Sequence, residues 1–238
     1  MKQVDILAIG AHPDDVEIGM GGTMARHVSL GYQAGIIDLT KGELGTNGTP
    51  EQRIMEGERA KEILGCAIRV NLGLPDGGVI ISKENVALLV EQIRQARPKL
   101  VFATFYEDQH PDHAACGKLV EEAFFLSGLK KFVTPTLCHK PEQLIFYMVN
   151  PQIKPSFIVD ISKSYQTKKQ AVLAHRSQFF REEGSMTTEL NKENGYPERL
   201  EIRDKYLGLQ IGAAYGEGFL IKNVIPVNNL FFQWSKEG

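Results

Sequence analysis

Between Val4 and Ala103 short apolar runs alternate with longer amphipathic stretches, and no other feature of the chain constrains its fold as strongly. A strand buried on both faces reads as a continuous apolar run, whereas the helix that crosses over to the next strand is apolar on one side only, so the alternation predicts repeated βαβ units around a parallel sheet. Strands are expected near 4–9, 33–39, 68–72 and 99–103, and helices near 17–31, 50–65 and 83–97. Gly31, Gly65 and Pro98 supply the three helix stops. Right-handed crossovers distribute such helices over both faces of the sheet. The expected fold class is therefore α/β, a Rossmann-like three-layer sandwich with a mostly parallel sheet in the doubly wound order 3-2-1-4-5. In that order strands 1 and 4 lie side by side where the winding reverses, and their carboxyl ends form the crevice in which ligands bind.

Both of these strands are followed by clustered polar residues. Ala11-His12-Pro13-Asp14-Asp15 follows the first, and His110-Pro111-Asp112-His113 follows the fourth within a few residues. The fold brings the two loops together. A hydrolytic zinc site takes three protein ligands from His and Asp/Glu and leaves a position for water, whose pKa falls to about 7. His12, Asp15 and His113 would supply that set if the chain bends after Pro13. Asp14 then stands beside the metal as a free carboxylate, able to take a proton from water and pass it to a leaving amine. His110 could stabilise the oxyanion of a tetrahedral intermediate, with Asp112 holding its tautomer. Each motif alone has a plainer reading, since Asp15 or Asp112 could be a helix N-cap and Glu17 could answer the first-turn dipole. Two motifs on neighbouring strands favour the metal site.

Other stretches carry less chemistry. Gly19-Met20-Gly21-Gly22 is not a GxGxxG fingerprint and falls inside the first helix. The glycine-rich loop at 42–48 is expected to act as a substrate lid, and Thr49-Pro50-Glu51 to start the second helix. His27 reads as a surface or packing residue, His139 and Cys116 as loop and core residues, and His175 as lining the pocket or making a structural hydrogen bond. In the second half, apolar segments at 144–149 and 157–161 extend the sheet and a helix follows near 163–180. The polar run Arg181 to Asn194 is either mobile or a cover over the site. An amphipathic stretch at 197–215 ends before Gly216-Glu217-Gly218-Phe219, and the apolar segment Val224 to Trp234 is interface or core.

With 238 residues, 42% of them hydrophobic, and a formal charge of −2, the chain is expected to form a single domain over 1–238 and is not a basic nucleic-acid binder. No apolar run reaches the roughly 20 residues of a membrane span. The start of the chain enters a strand without the features of a secretory signal, and three widely spaced cysteines make no disulfide framework, which together predict a reducing, cytoplasmic setting.

His12-Pro13-Asp14-Asp15 with Glu17, Gly21-Gly22-Thr23, Thr40-Lys41-Gly42-Glu43, Arg53 with Glu56, Leu74-Pro75-Asp76-Gly77, His110-Pro111-Asp112-His113 and Glu217-Gly218-Phe219 follow one another as in a known family. Through most of its length the chain resembles the LmbE-like (PIG-L) zinc-dependent N-acetylglucosamine deacetylases, and most closely the bacillithiol-pathway branch that deacetylates N-acetylglucosaminyl-malate. The resemblance implies one zinc ion per chain on His12, Asp15 and His113, with iron(II) as an alternative. It also implies Asp14 as base, His110 as acid or oxyanion stabiliser helped by Asp112, a small-molecule sugar substrate, and assembly into homo-oligomers. Arg53 and Asp76 match positions that hold sugar hydroxyls, a role that an arginine fork and a carboxylate suit. Where some relatives carry a tyrosine before the second motif this chain has Asp108, with Tyr106 nearby. The same cluster could serve a chitooligosaccharide or a thiol-sugar conjugate, and a non-catalytic Rossmann-like binding module is the remaining reading.

Overall fold

A computed structural model of the chain describes residues 1–150, 153–181, 183–193 and 195–226. Seven strands, β1 (Ile6–Gly10), β2 (Ala34–Thr40), β3 (Ile68–Leu74), β4 (Leu100–Thr104), β5 (Gln143–Tyr147), β6 (Phe157–Asp160) and β7 (Gly216–Leu220), form one sheet in the order β3-β2-β1-β4-β5-β7-β6. The first five follow the expected doubly wound order and are parallel. The register pairs Ala8 with Phe102 and Ile9 with Ala103, so the chain leaves β1 and β4 side by side at the same edge. β7 was not expected. It runs antiparallel between β5 and β6 and joins the C-terminal segments to the sheet.

Helices α1 (Asp15–Ser29), α2 (Pro50–Leu64), α3 (Lys83–Ala96), α4 (Pro111–Ser127), α5 (Tyr165–Ala174), α6 (Arg176–Phe179) and α7 (Tyr196–Gln210) cover the sheet. Successive strand side chains point to opposite faces. Leu7, Ile9, Ile37 and Leu39 accordingly pack with α3 and α4, while Ile6, Ala8 and Ile36 pack with α1, α2 and α5. Residues 224–226 of the apolar C-terminal segment are exposed, and the remainder of Val224 to Trp234 lies outside the described residues.

The start of α2 follows ordinary rules. Thr49, in extended conformation, accepts a hydrogen bond from the Gln52 N–H at 3.2 Å, Pro50 occupies the first turn, and Gly65 closes the helix in left-handed conformation. α1 is different, because its backbone breaks at Met20 (φ −151°, ψ 19°). The Gly22 and Thr23 N–H groups beyond the break donate to the Glu217 carboxylate of β7 at 2.9 and 2.6 Å, and Arg203 of α7 donates to the Ile18 carbonyl at 2.7 Å. Both halves of the broken helix are thus capped by side chains distant in sequence. The glycines around Met20 let α1 lie close to the sheet: a Cβ on Gly19 would stand 2.2 Å from the Tyr147 ring, and one on Gly22 2.7 Å from Ile161. The helix expected at 163–180 is two helices, α5 and α6, divided at His175.

Candidate metal centre and active site

The loops after β1, β3 and β4 meet at the carboxyl edge of the sheet around a cleft of about 310 Å³. Its walls include His12, Asp14, Asp15, Arg53, Asp76, His110 and His113, together with Leu44, Gly45, Gln178, Leu190 and Tyr196. Asp112 lies just behind these walls, 3.5 Å from His12.

His12 and His113 face each other through Nδ1 and Nε2, 3.3 Å apart. One Asp15 oxygen stands 3.6 Å from His12 Nδ1 and the other 3.1 Å from His113 Nε2. A tetrahedral zinc ion with bonds of about 2.0–2.1 Å requires ligand atoms roughly 3.3 Å apart, so the donor types and spacings suit such an ion. The first loop achieves this by folding back on Asp15, whose carboxylate accepts the Ala11 and His12 N–H groups at 2.8 and 2.9 Å. Electrostatics agree with the geometry. Burial works against an imidazolium at His12, but Asp112, Asp15 and Asp76 outweigh it and raise its pKa well above the ordinary value. His113 is pushed up to about 9, where Asp15 and Asp108 overcome the effect of burial. A field that retains protons so firmly also favours a metal cation, which would displace them.

Each imidazole rests on carboxylates at its far nitrogen. His12 Nε2 is 2.9 Å from Asp76 and 3.5 Å from Asp112, and His113 Nδ1 is 3.3 Å from both Asp108 and the Asn150 amide. Such contacts fix ring orientation and tautomer. His110 stacks on His113 with centroids 4.6 Å apart, and its nitrogen comes within 4.8 Å of the His12 and His113 nitrogens, so it too lies within reach of an ion. It is also the N-cap of α4, its Nδ1 accepting the Asp112 N–H at 3.2 Å. That bond puts the proton of a neutral ring on Nε2, and burial followed by the neighbouring His113 lowers the His110 pKa, favouring the neutral form.

Three details differ from the sequence reading. Asp112 touches His110 through its backbone, while its carboxylate accepts the Gly77 and Val79 N–H groups at 2.6 and 3.2 Å and faces His12. The first turn of α4 points this side chain toward the loop after β3 instead of back over His110. Asp76 and Arg53, matched to sugar-binding positions, are engaged within the protein. Asp76 bridges His12 and the Leu44 N–H, at 2.9 Å each, and Arg53 donates to Gly42, Pro13 and Asp14. Neither Asp15 nor Asp112 is an N-cap. Those positions fall to Asp14 and His110, and Asp14 is held at φ 133° with no side-chain capping bond. Burial raises the Asp14 pKa, Arg53 opposes the rise and Asp15 adds to it.

The sequence reading missed Asn150, Gln178 and Tyr196 as walls of the cleft, which no motif marks, and left the role of Asp108 open; Leu190, also in the wall, belongs to the 181–194 run read as mobile or as a cover over the site. Tyr106 meets the Phe146 ring edge-on beneath Lys222 and does not line the cleft. His175 is fully buried below the site, 3.6 Å from Glu17. Glu17 itself is held down to about 2, where Arg69 and His175 overcome its burial. The loop at 42–48 is joined to the 181–193 segment through Asn47, whose amide donates to the Met186 carbonyl and accepts the Met186 N–H, each at 2.9 Å. Among the described residues no helix is long and apolar enough to cross a membrane.

The chain matches the family model described as PIG-L, GlcNAc-PI de-N-acetylase, over residues 7–124. It is 33% identical over 190 residues to the diacetylchitobiose deacetylase of Thermococcus kodakarensis, covering 73% of this chain and 70% of that one. A Bacillus anthracis protein named "Probable N-acetyl-alpha-D-glucosaminyl L-malate deacetylase 2" is 29% identical over 219 residues, 82% of this chain and 90% of its own. Among solved structures, a conserved protein of Thermus thermophilus, TT1542, is 39% identical, superimposes with a TM-score of 0.86, and is matched over 98% of this chain and 100% of its own.

Proposed function

The chain belongs to the PIG-L (LmbE-like) family of deacetylases, and from that premise we propose that it hydrolyses the N-acetyl group of N-acetyl-D-glucosaminyl-L-malate, releasing acetate and the free amine. The observation that carries the chemistry is the mutual approach of His12 Nδ1, Asp15 and His113 Nε2, at 3.1–3.6 Å, with Asp14 beside them. His12, Asp15 and His113 would hold a metal ion, zinc or alternatively iron(II), which would supply Lewis acidity there. Asp14, with its pKa raised by burial, accepts the proton of the attacking water and returns it to the departing nitrogen. His110 directs an Nε2–H toward the oxygen on which negative charge develops. Asp76, Asp112 and Asp108 keep the two metal-facing imidazoles in place.

Malate as the second half of the substrate is supported by the Bacillus anthracis relative, which matches this chain over most of both lengths. A second reading, diacetylchitobiose, is favoured by the Thermococcus kodakarensis relative and by the cleft itself. Among the described residues the two Nη groups of its arginine bond to protein acceptors and no lysine lines it, which suits a neutral sugar better than a dicarboxylate. Acetate release measured side by side decides. The malate reading predicts a kcat/KM for the malate conjugate at least roughly tenfold above that for diacetylchitobiose, a gap of about 1.4 kcal/mol, and the reverse order overturns it.

A further inference from the structure

We infer that Gln178 is a specificity-determining residue, whose side-chain carbonyl accepts a hydrogen bond from a hydroxyl group of the sugar. The inference deepens the proposed function and rests on its reading of the substrate as a sugar amide. Gln178 belongs to α6 and lines the cleft, and it is only 7% exposed. Its Nε2 donates to the Asn47 backbone carbonyl at 2.7 Å and to Ser177 Oγ at 3.0 Å.

These partners fix which way the amide faces. The Asn47 carbonyl can only accept. Ser177 Oγ donates its own proton to the Glu56 carboxylate at 2.7 Å, so toward Gln178 it too can only accept. A reversed amide would set Oε1 against two acceptor oxygens. Both N–H bonds of the amide are therefore turned to the protein. Oε1 receives no hydrogen bond among the described residues and is not sealed off, so it is the polar atom that Gln178 presents to the cleft. A few fixed polar atoms converging on a pocket are what orient a ligand in it.

The support behind that atom is rigid. Glu56 accepts the Ser177 N–H as well as its hydroxyl, each at 2.7 Å, and so holds the residue on which the Gln178 amide leans. The loop at 42–48 closes tightly over it: Gly48 has φ +80°, and a Cβ there would stand 2.5 Å from Ser177 Oγ. Hydrogen bonds running from α2 through Ser177 thus aim the carbonyl in one direction before any ligand arrives. The chemistry of the ligand follows from the acceptor. A hydroxyl can donate to it, whereas an ionised carboxylate cannot and would be repelled. The acetamide nitrogen belongs beside Asp14 in the proposed reaction, which leaves the hydroxyls of the sugar.

The test compares the metal-loaded parent with Gln178→Met, a side chain of similar length without the amide. Acetate release is measured on the better of the two candidate substrates and on analogues of it that each lack one sugar hydroxyl. In the parent, loss of the contacted hydroxyl is expected to lower kcat/KM by about tenfold, the effect of one hydrogen bond with its partner left unsatisfied. Gln178→Met is expected to lose about as much on the full substrate and to be indifferent to that one hydroxyl, while the penalties for the others persist. Such non-additivity marks a direct contact, whereas a role in packing alone would lower every rate alike. Ser177→Ala removes one of the two acceptors that aim the amide and leaves Gln178 in the chain. It is expected to shrink the same penalty, and it carries the test if Gln178→Met does not fold. Penalties that are the same in parent and variants for every analogue overturn the inference. A parent that releases no acetate from either sugar amide defeats the proposed function itself, and the inference falls with it.

Discussion

Helices α1 and α2 both begin at the carboxyl edge of the sheet, each after a strand of the parallel half, and they begin in opposite ways. α2 has a capping threonine in extended conformation, a proline in its first turn and a satisfied N–H. α1 has an aspartate at the same position, turned to φ 133°, with its carboxylate directed to Arg53 and the cleft and no capping bond made. α4 falls between them, capped by the ring of His110, which leaves its other nitrogen available to a substrate. The difference shows where stability has been forgone. On the proposed function, a residue able to cap a helix serves chemistry at α1, structure at α2 and both at α4.

That comparison can be broken by exchanging the caps. His110→Asn keeps a good capping side chain on α4 and removes the imidazole donor. Acetate release should fall about 10²- to 10³-fold, the usual loss on removing one oxyanion donor, while thermal stability stays near that of the parent. An equal loss of stability would mean that the ring serves the helix alone. At Asp14 the pair Asp14→Gly and Asp14→Ala both remove the carboxylate and differ mainly in tolerance of positive φ. Both should be inactive, and denaturant unfolding should find the glycine protein more stable by about 1–3 kcal/mol. Equal stabilities would show the backbone there to be unstrained. Thr49→Ala is the smallest change, costing about 1 kcal/mol of stability in the same unfolding measurement with kcat unaltered.

These contrasts also explain how much the sequence disclosed. The parallel half was legible because β1 and β2 are buried along their whole lengths and read as unbroken apolar runs, and because Gly65 and Thr49 carry their usual stop and start chemistry. The meeting of the two polar motifs was legible because each is short and the strand order makes their loops neighbours. β7 was not, since Gly216-Glu217-Gly218 lacks the β-branched residues that mark a strand. The break in α1 left no local trace either: it is stabilised by Glu217 and Arg203, far along the chain, each bonding to backbone atoms. The partners of Arg53 escaped for the same reason. The carbonyls of Pro13 and Gly42 are acceptors that any sequence would offer, so no residue type marks them as partners of Arg53.

The assignment of separate tasks to the adjacent Asp14 and Asp15 is the centre of this account, and Asp14→Asn tests it most directly because the substitution preserves the shape of the side chain. Acetate release by this protein should be measured beside its metal content. The account predicts one metal ion per chain, as in the parent, with kcat lower by about 10²- to 10⁴-fold. A metal-loaded Asp14→Asn protein that releases acetate at the parent rate would contradict it.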